Sequence, residues 1–158
     1  MIRYFNEDTD FKFKKKKICS QWISSVLREL SQNSSKFFDE EKLLERPNVK
    51  VGDINIIFCS DNYILSINQQ YLKHNYYTDV ITFDYSDNCV LSGDIFISTD
   101  TVMANAHEYK TDFTEELYRV IIHGVLHLYG FKDSTTSQKK IMREMEDFAL
   151  RCKSGFTL

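Results

Sequence analysis

The sequence predicts an α+β fold, a single small mixed sheet of about four strands covered by helices. Two observations carry that reading. Stretches with helical spacing of apolar residues alternate with short β-branched and aromatic runs, in the order β-α-β-α-β-β-α-α-α. That order admits α/β as well as α+β. The composition is 42% apolar and 27% charged over 158 residues, the range of one ordinary globular domain with a real core. Residues 1–158 are therefore expected to form one domain.

Ile2 to Phe5 is a short apolar run and a candidate strand; Glu7 to Phe13 reads as loop. The basic run Lys14 to Lys17 leads into Ile18, Trp22, Ile23, Val26, Leu27 and Leu30, an amphipathic helix. Ser31 to Arg46 is polar and reads as irregular, and Phe37-Phe38 within it reads as packing. Behind Pro47, Val49 to Cys59 carries the β-formers Val51, Ile54, Ile56, Ile57 and Phe58. Ser60-Asp61-Asn62 offers an N-cap for a helix through Ile64, Ile67, Asn68 and Leu72. His74 to Tyr77 connects it to the β-rich Asp79 to Tyr85. Turn chemistry at Ser86-Asp87-Asn88 and the apolar run Val90 to Ser98 complete a hairpin. Thr99 to Tyr109 reads as a helix. Asp112, with Glu115 three residues on, resembles a capping box opening the next one. Ser134 starts a final helix whose apolar face is Ile141, Met142, Met145, Phe148 and Ala149. Its Glu144, Glu146 and Asp147 read as the wet face.

Composition narrows the function. The net charge of -3 does not announce a nucleic-acid binder, so any such contact needs a local patch. The four cysteines are scattered singly, with no Cys-x-x-Cys, which fits a reduced cytosolic setting. The N-terminus lacks a signal pattern, and no apolar run approaches the roughly 20 residues of a bilayer span.

The stretch richest in chemistry runs from Ile121 to Asp133. His123 and His127, two of four histidines, stand four residues apart on one helical face. Gly130 offers a helix stop, after which the chain can bring Asp133 back towards both imidazoles. Two imidazoles and one oxygen make a three-ligand site of the catalytic zinc type, with a position left for water. Such a site lowers the pKa of water from about 16 towards about 7 and favours hydrolysis. Taken alone, the pair also fits two partly buried histidines bonded to backbone, with Asp133 a surface turn residue. A His-Glu-x-x-His protease puts a glutamate general base directly after the first histidine, whereas Gly124 stands there. That disfavours such a protease and suggests that a strand or substrate backbone approaches the helix closely.

The run His123-Gly124-Val125-Leu126-His127-Leu128-Tyr129-Gly130-Phe131-Lys132-Asp133 resembles the His-Gly-x-Leu-His-Leu-x-Gly-Tyr-Asp-His signature of the YbeY family. Ile67-Asn68-Gln69-Gln70-Tyr71 with Thr78-Asp79-Val80-Ile81-Thr82-Phe83 is similar to its Leu-Asn-x-x-Tyr and Thr-Asp-Val-Leu-Ser-Phe segments. Gly93-Asp94-Ile95-Phe96-Ile97-Ser98 resembles its Gly-Asp-Ile-x-Ile-Ser strand. The resemblance spans roughly residues 50 to 150. It implies a compact mixed-sheet fold with one zinc ion, single-strand-specific endoribonuclease activity and a cytoplasmic location. It also implies roles in small-subunit ribosomal RNA 3′-end maturation and ribosome quality control, and so RNA and the ribosome as partners.

Two positions depart from the pattern. Asp133 stands where the family usually has a third histidine, and Leu72 where it usually has an arginine thought to engage phosphate. Lys73 or His74 is then the candidate for the missing positive charge. Asp79 and Asp94 are candidates to orient ligands or cap turns. His107 reads as a surface histidine, and the Lys12 to Lys17 run as a solvated flank or an RNA-backbone contact. Two other readings stay open. One is a metallohydrolase of peptides or small molecules. The other is a non-catalytic ribosome-assembly factor with a structural zinc.

Overall fold

The computed structural model describes residues 1–32 and 49–158. The expectations for residues 33–48, including Phe37-Phe38, lie outside the described residues. The described elements are β1 (Ile2–Glu7), α1 (Lys16–Gln32), β2 (Lys50–Cys59), α2 (Asp61–Ile67), β3 (Val80–Asp84), β4 (Val90–Ser98), α3 (Thr99–Glu108), α4 (Phe113–Tyr129) and α5 (Thr136–Cys152). A five-residue π-helical turn, Asn68–Leu72, prolongs α2, and a 3₁₀ turn follows α5.

The four strands form one mixed sheet in the order β1-β2-β4-β3. β1 and β4 run parallel to β2, and β3 closes the edge antiparallel to β4, which is the expected hairpin. The pleat divides β2 between two faces. Ile54, Ile56 and Phe58 join Leu91, Ile95 and Ile97 of β4 in the main core with α1, α4 and α5. Cys59 turns the other way and packs with Ile64, Ile67 and Ile81 under α2.

The main core is largely aromatic at one end, where Phe11, Phe13, Phe58 and Tyr118 meet. Trp22 of α1 lies against Tyr118, and its indole N–H donates to the Ala149 carbonyl of α5 at 2.9 Å. That bond satisfies the one polar atom of a fully buried ring and ties the first helix to the last.

Capping follows sequence chemistry with one exchange. Ser60 caps α2 and Ser98 caps α3. Asp112 caps α4, accepting from the Thr114 N–H at 2.7 Å, but no reciprocal bond from Glu115 completes a box; Glu115 pairs with Lys153 instead. The reciprocal capping box belongs to α5, where Thr135 and Gln138 exchange bonds, so that helix begins two residues after Ser134.

Helix α4 lies across β3 and β4 through Gly124. A Cβ at that position would sit 2.5 Å from Ile95 Cγ2 and 3.4 Å from Thr82 Oγ1. The absent side chain is thus what lets the helix close on the sheet, as the sequence suggests.

Candidate metal centre and cleft

Helix α4 ends at Gly130, whose φ of 118° is left-handed and costs glycine little. The turn closes with the Phe131 N–H donating to the Leu126 carbonyl at 3.0 Å. It also turns the Phe131 carbonyl back onto the helix, where it accepts from His127 Nδ1 at 2.9 Å. The other imidazole is oriented from α5: His123 Nδ1 donates to Glu146 Oε1 at 2.8 Å. Because both Nδ1 atoms face acceptors, they carry the protons and leave each Nε2 with a free lone pair.

Those two Nε2 atoms lie 2.9 Å apart. Asp133 Oδ2 is 3.5 Å from His123 Nε2 and 3.6 Å from His127 Nε2. A zinc ion bound at about 2.0–2.2 Å to three such atoms in tetrahedral geometry would set them about 3.3 Å apart. The spacing and the N₂O donor set therefore fit one divalent ion. The aspartate reaches the position that the sequence assigned it.

Glu146 corrects the reading of α5. It is 6% exposed and accepts from Arg119 Nη1 at 3.1 Å and Arg143 Nη1 at 3.2 Å as well as from His123. Burial pushes its pKa up, but the hydrogen bonds and charges of His123 and Arg119 outweigh that and hold the carboxyl below its ordinary range. Burial opposes charge on His123, yet Glu146, with Asp133 and Asp79 further off, holds its pKa above the ordinary value. His127 goes the other way, lowered by burial and by the neighbouring His123. A buried carboxylate behind a metal-facing histidine is the usual device for fixing ring orientation and basicity.

The three candidate ligands open onto a cleft of about 440 Å³. His74, Asn68, Leu72, Tyr76, Thr78, Asp79, Thr82 and Asp84 contribute to its walls. The π turn caps this wall with Lys73 in a left-handed conformation (φ 57°). Lys73 is exposed and is not among the lining residues, whereas His74 is, its ring stacked on Tyr76 with centroids 5.2 Å apart. Leu72 lines the cleft with an apolar side chain. Asp79 accepts from Asn105 at 3.2 Å, and burial raises its carboxyl above the ordinary range. Thr82 Oγ1 is buried with no hydrogen-bond partner among the described residues. Asp94 points away from the cleft; it accepts from Asn55 at 2.7 Å on the other face of the sheet. His107 is exposed on α3, and Lys15 reaches the Thr157 carbonyl at 2.9 Å, far in sequence from the site.

The profile of the endoribonuclease YbeY family matches residues 3–152. The chain belongs to the YbeY family. Curated relatives named endoribonuclease YbeY include one from Parabacteroides distasonis, 46% identical over 94% of this chain and 93% of its own length. Another, from Flavobacterium psychrophilum, is 45% identical over 93% of each chain. The solution structure of TM1509 from Thermotoga maritima superposes with a TM-score of 0.51 at 26% identity, covering 96% of this chain and 90% of that one.

Within this YbeY chain, the convergence of His123, His127 and Asp133 is legible in the sequence, but the groups that orient the two imidazoles are not. Glu146 carried a signal: it falls on the stripe Met142, Met145, Ala149, where a carboxylate is out of place unless paired. Arg119 and Arg143 carried none, since exposed arginines on helices are ordinary.

Proposed function

We propose that this chain is a zinc-dependent endoribonuclease cutting single-stranded RNA, with residues 1–158 as one catalytic domain and His123, His127 and Asp133 as the metal ligands. The observation that carries the reading is the convergence of His123 Nε2, His127 Nε2 and Asp133 Oδ2 at the floor of an open cleft. A divalent ion held there supplies a Lewis acid for the phosphate and lowers the pKa of water.

The chain's own residues do the rest. Glu146 and the Phe131 carbonyl hold both imidazoles in the tautomer that presents Nε2. Asp133 adds a negative charge in place of a third neutral ring, which weakens the Lewis acid somewhat and broadens metal choice. His74, on the cleft wall, is placed to donate to a phosphate oxygen as charge develops. Lys73, just outside the wall, contributes to the local field rather than to a direct contact. Asp79 lines the cleft, and its raised pKa suits it to take up a proton there.

Family membership and the relatives' printed name support RNA as the substrate. Maturation of the 3′ end of small-subunit ribosomal RNA, ribosome quality control, association with the ribosome and a cytoplasmic location are part of the proposal, on the strength of the resemblance. No helix among the described residues is long and apolar enough to cross a membrane.

The test is cleavage by zinc-loaded protein. Single-stranded RNA should be cut internally, EDTA should abolish cutting, and duplex RNA and peptides should remain intact. Asp133→His should keep the activity and Asp133→Ala should weaken it. Absence of cleavage above background, or cleavage indifferent to EDTA, overturns the proposal.

A further inference from the structure

A second cavity, of about 240 Å³, opens on the other side of the same cluster. It shares Asp79, Val80, His123 and Asp133 with the first, so the two meet at the metal-facing residues. Their walls differ in charge. The first carries three aspartates and no lysine or arginine among its lining residues. The second has four carboxylates, Asp79, Glu116, Asp133 and Glu146, and adds two guanidiniums, Arg119 and Arg143, and the ring of Tyr109.

The two arginines are not equivalent. Arg119 is 21% exposed and spans Glu146 and Asp147 at 3.1 and 2.8 Å, so its charge is spent internally. Arg143 is 62% exposed and touches Glu146 through Nη1 alone, at 3.2 Å. A guanidinium has five N–H donors in a planar fork suited to phosphate, and among the described residues the Arg143 fork bonds only Glu146, through Nη1. Tyr109, 62% exposed on the same rim, offers an open aromatic face. An endonuclease must hold its strand on both sides of the cut. The first cavity has the stacked His74–Tyr76 pair for one side.

We propose that Arg143 and Tyr109 form a nucleotide subsite across the metal cluster from His74 and Tyr76. The RNA strand passes from one cavity to the other, Arg143 holds a backbone phosphate next to the scissile one, and Tyr109 stacks on a base. This rests on the nuclease reading above and names where that site takes its substrate.

Binding separates the two claims. The probe is a fluorescent single-stranded 2′-O-methyl oligonucleotide, which resists cleavage, titrated into zinc-loaded full-length protein by anisotropy. Arg143→Ala should raise Kd roughly ten- to hundredfold. It should also reduce the slope of log Kd on log salt by about 0.7, the share of one phosphate contact on a single strand. Arg143→Lys should recover most of both. Tyr109→Ala should raise Kd about tenfold with the salt slope unchanged, and Tyr109→Phe should bind like wild type. Zinc content and Tm should stay unchanged throughout. The subsite is overturned if wild type does not bind the probe, or if Arg143→Ala keeps the wild-type Kd and slope. It is also overturned if zinc is lost with Arg143→Ala and Arg143→Lys alike, which would make Arg143 only a prop for Glu146. If the probe binds as expected while unmodified RNA stays uncut, the nuclease reading fails and the subsite stands.

Discussion

Replacing Gly124 by alanine tests how the helix bearing the histidines is seated. The added Cβ would meet Ile95 Cγ2 at 2.5 Å. Carbon atoms in comfortable contact stand about 3.5–4.0 Å apart, so helix and sheet must separate locally by about 1 Å. Ile95 cannot retreat: it is fully buried in β4 and paired with Ile56 on one side and Thr82 on the other. Overpacking of this kind costs about 1–3 kcal/mol. Alanine returns up to about 1 kcal/mol through helix propensity, leaving a net loss of about 1–2 kcal/mol, or a few degrees in Tm. Urea melts of Gly124→Ala, Ile95→Ala and the double variant measure it. Ile95→Ala removes Cγ2, so the double variant should be less destabilised than the sum of the singles by about 1–2 kcal/mol. If Gly124→Ala is as stable as wild type and the two changes add within about 0.5 kcal/mol, the close-approach argument is wrong.

Other predictions follow from neighbouring contacts. Gly93→Ala should be the harsher change, because its Cβ would meet the Phe83 carbonyl oxygen at 2.4 Å and backbone cannot rotate aside; a Tm no lower than that of Gly124→Ala would refute this. Glu146→Gln should weaken zinc binding about 10- to 100-fold, or about 1.4–2.7 kcal/mol, in a competition titration against a zinc indicator. An affinity within twofold of wild type would mean that Glu146 does not tune His123. Burial pushes the Cys19 and Cys59 thiols up to about 12. At pH 8 only about one part in ten thousand of each is thiolate, so native protein should label at Cys89 and Cys152 alone, and urea should expose the other two.

Much of the fold was legible because its elements rest on local signals. Ile54 to Phe58 and Leu91 to Ile97 announced strands, Ser86-Asp87-Asn88 the hairpin turn between β3 and β4, and the spacing from Trp22 to Leu30 a helix. The placement of β2 between two parallel neighbours was not legible, since parallel pairing joins segments distant in sequence with no turn to mark them. In the site, His123, His127 and Asp133 were readable because a helix and one glycine turn bring them together within a short stretch of chain. Glu146 comes from α5, and its meeting with His123 depends on how two helices pack. The apolar stripe around Glu146 marks it as out of place in solvent, but no short-range pattern encodes which histidine it meets.

The central claim is that His123, His127 and Asp133 hold one metal ion. Metal analysis of protein purified without an affinity tag tests it most directly. About one equivalent of zinc per chain, lost in His123→Ala and His127→Ala and accompanied by a metal-induced rise in Tm, is the predicted result. Less than a tenth of an equivalent, with no rise in Tm on adding zinc, would contradict it.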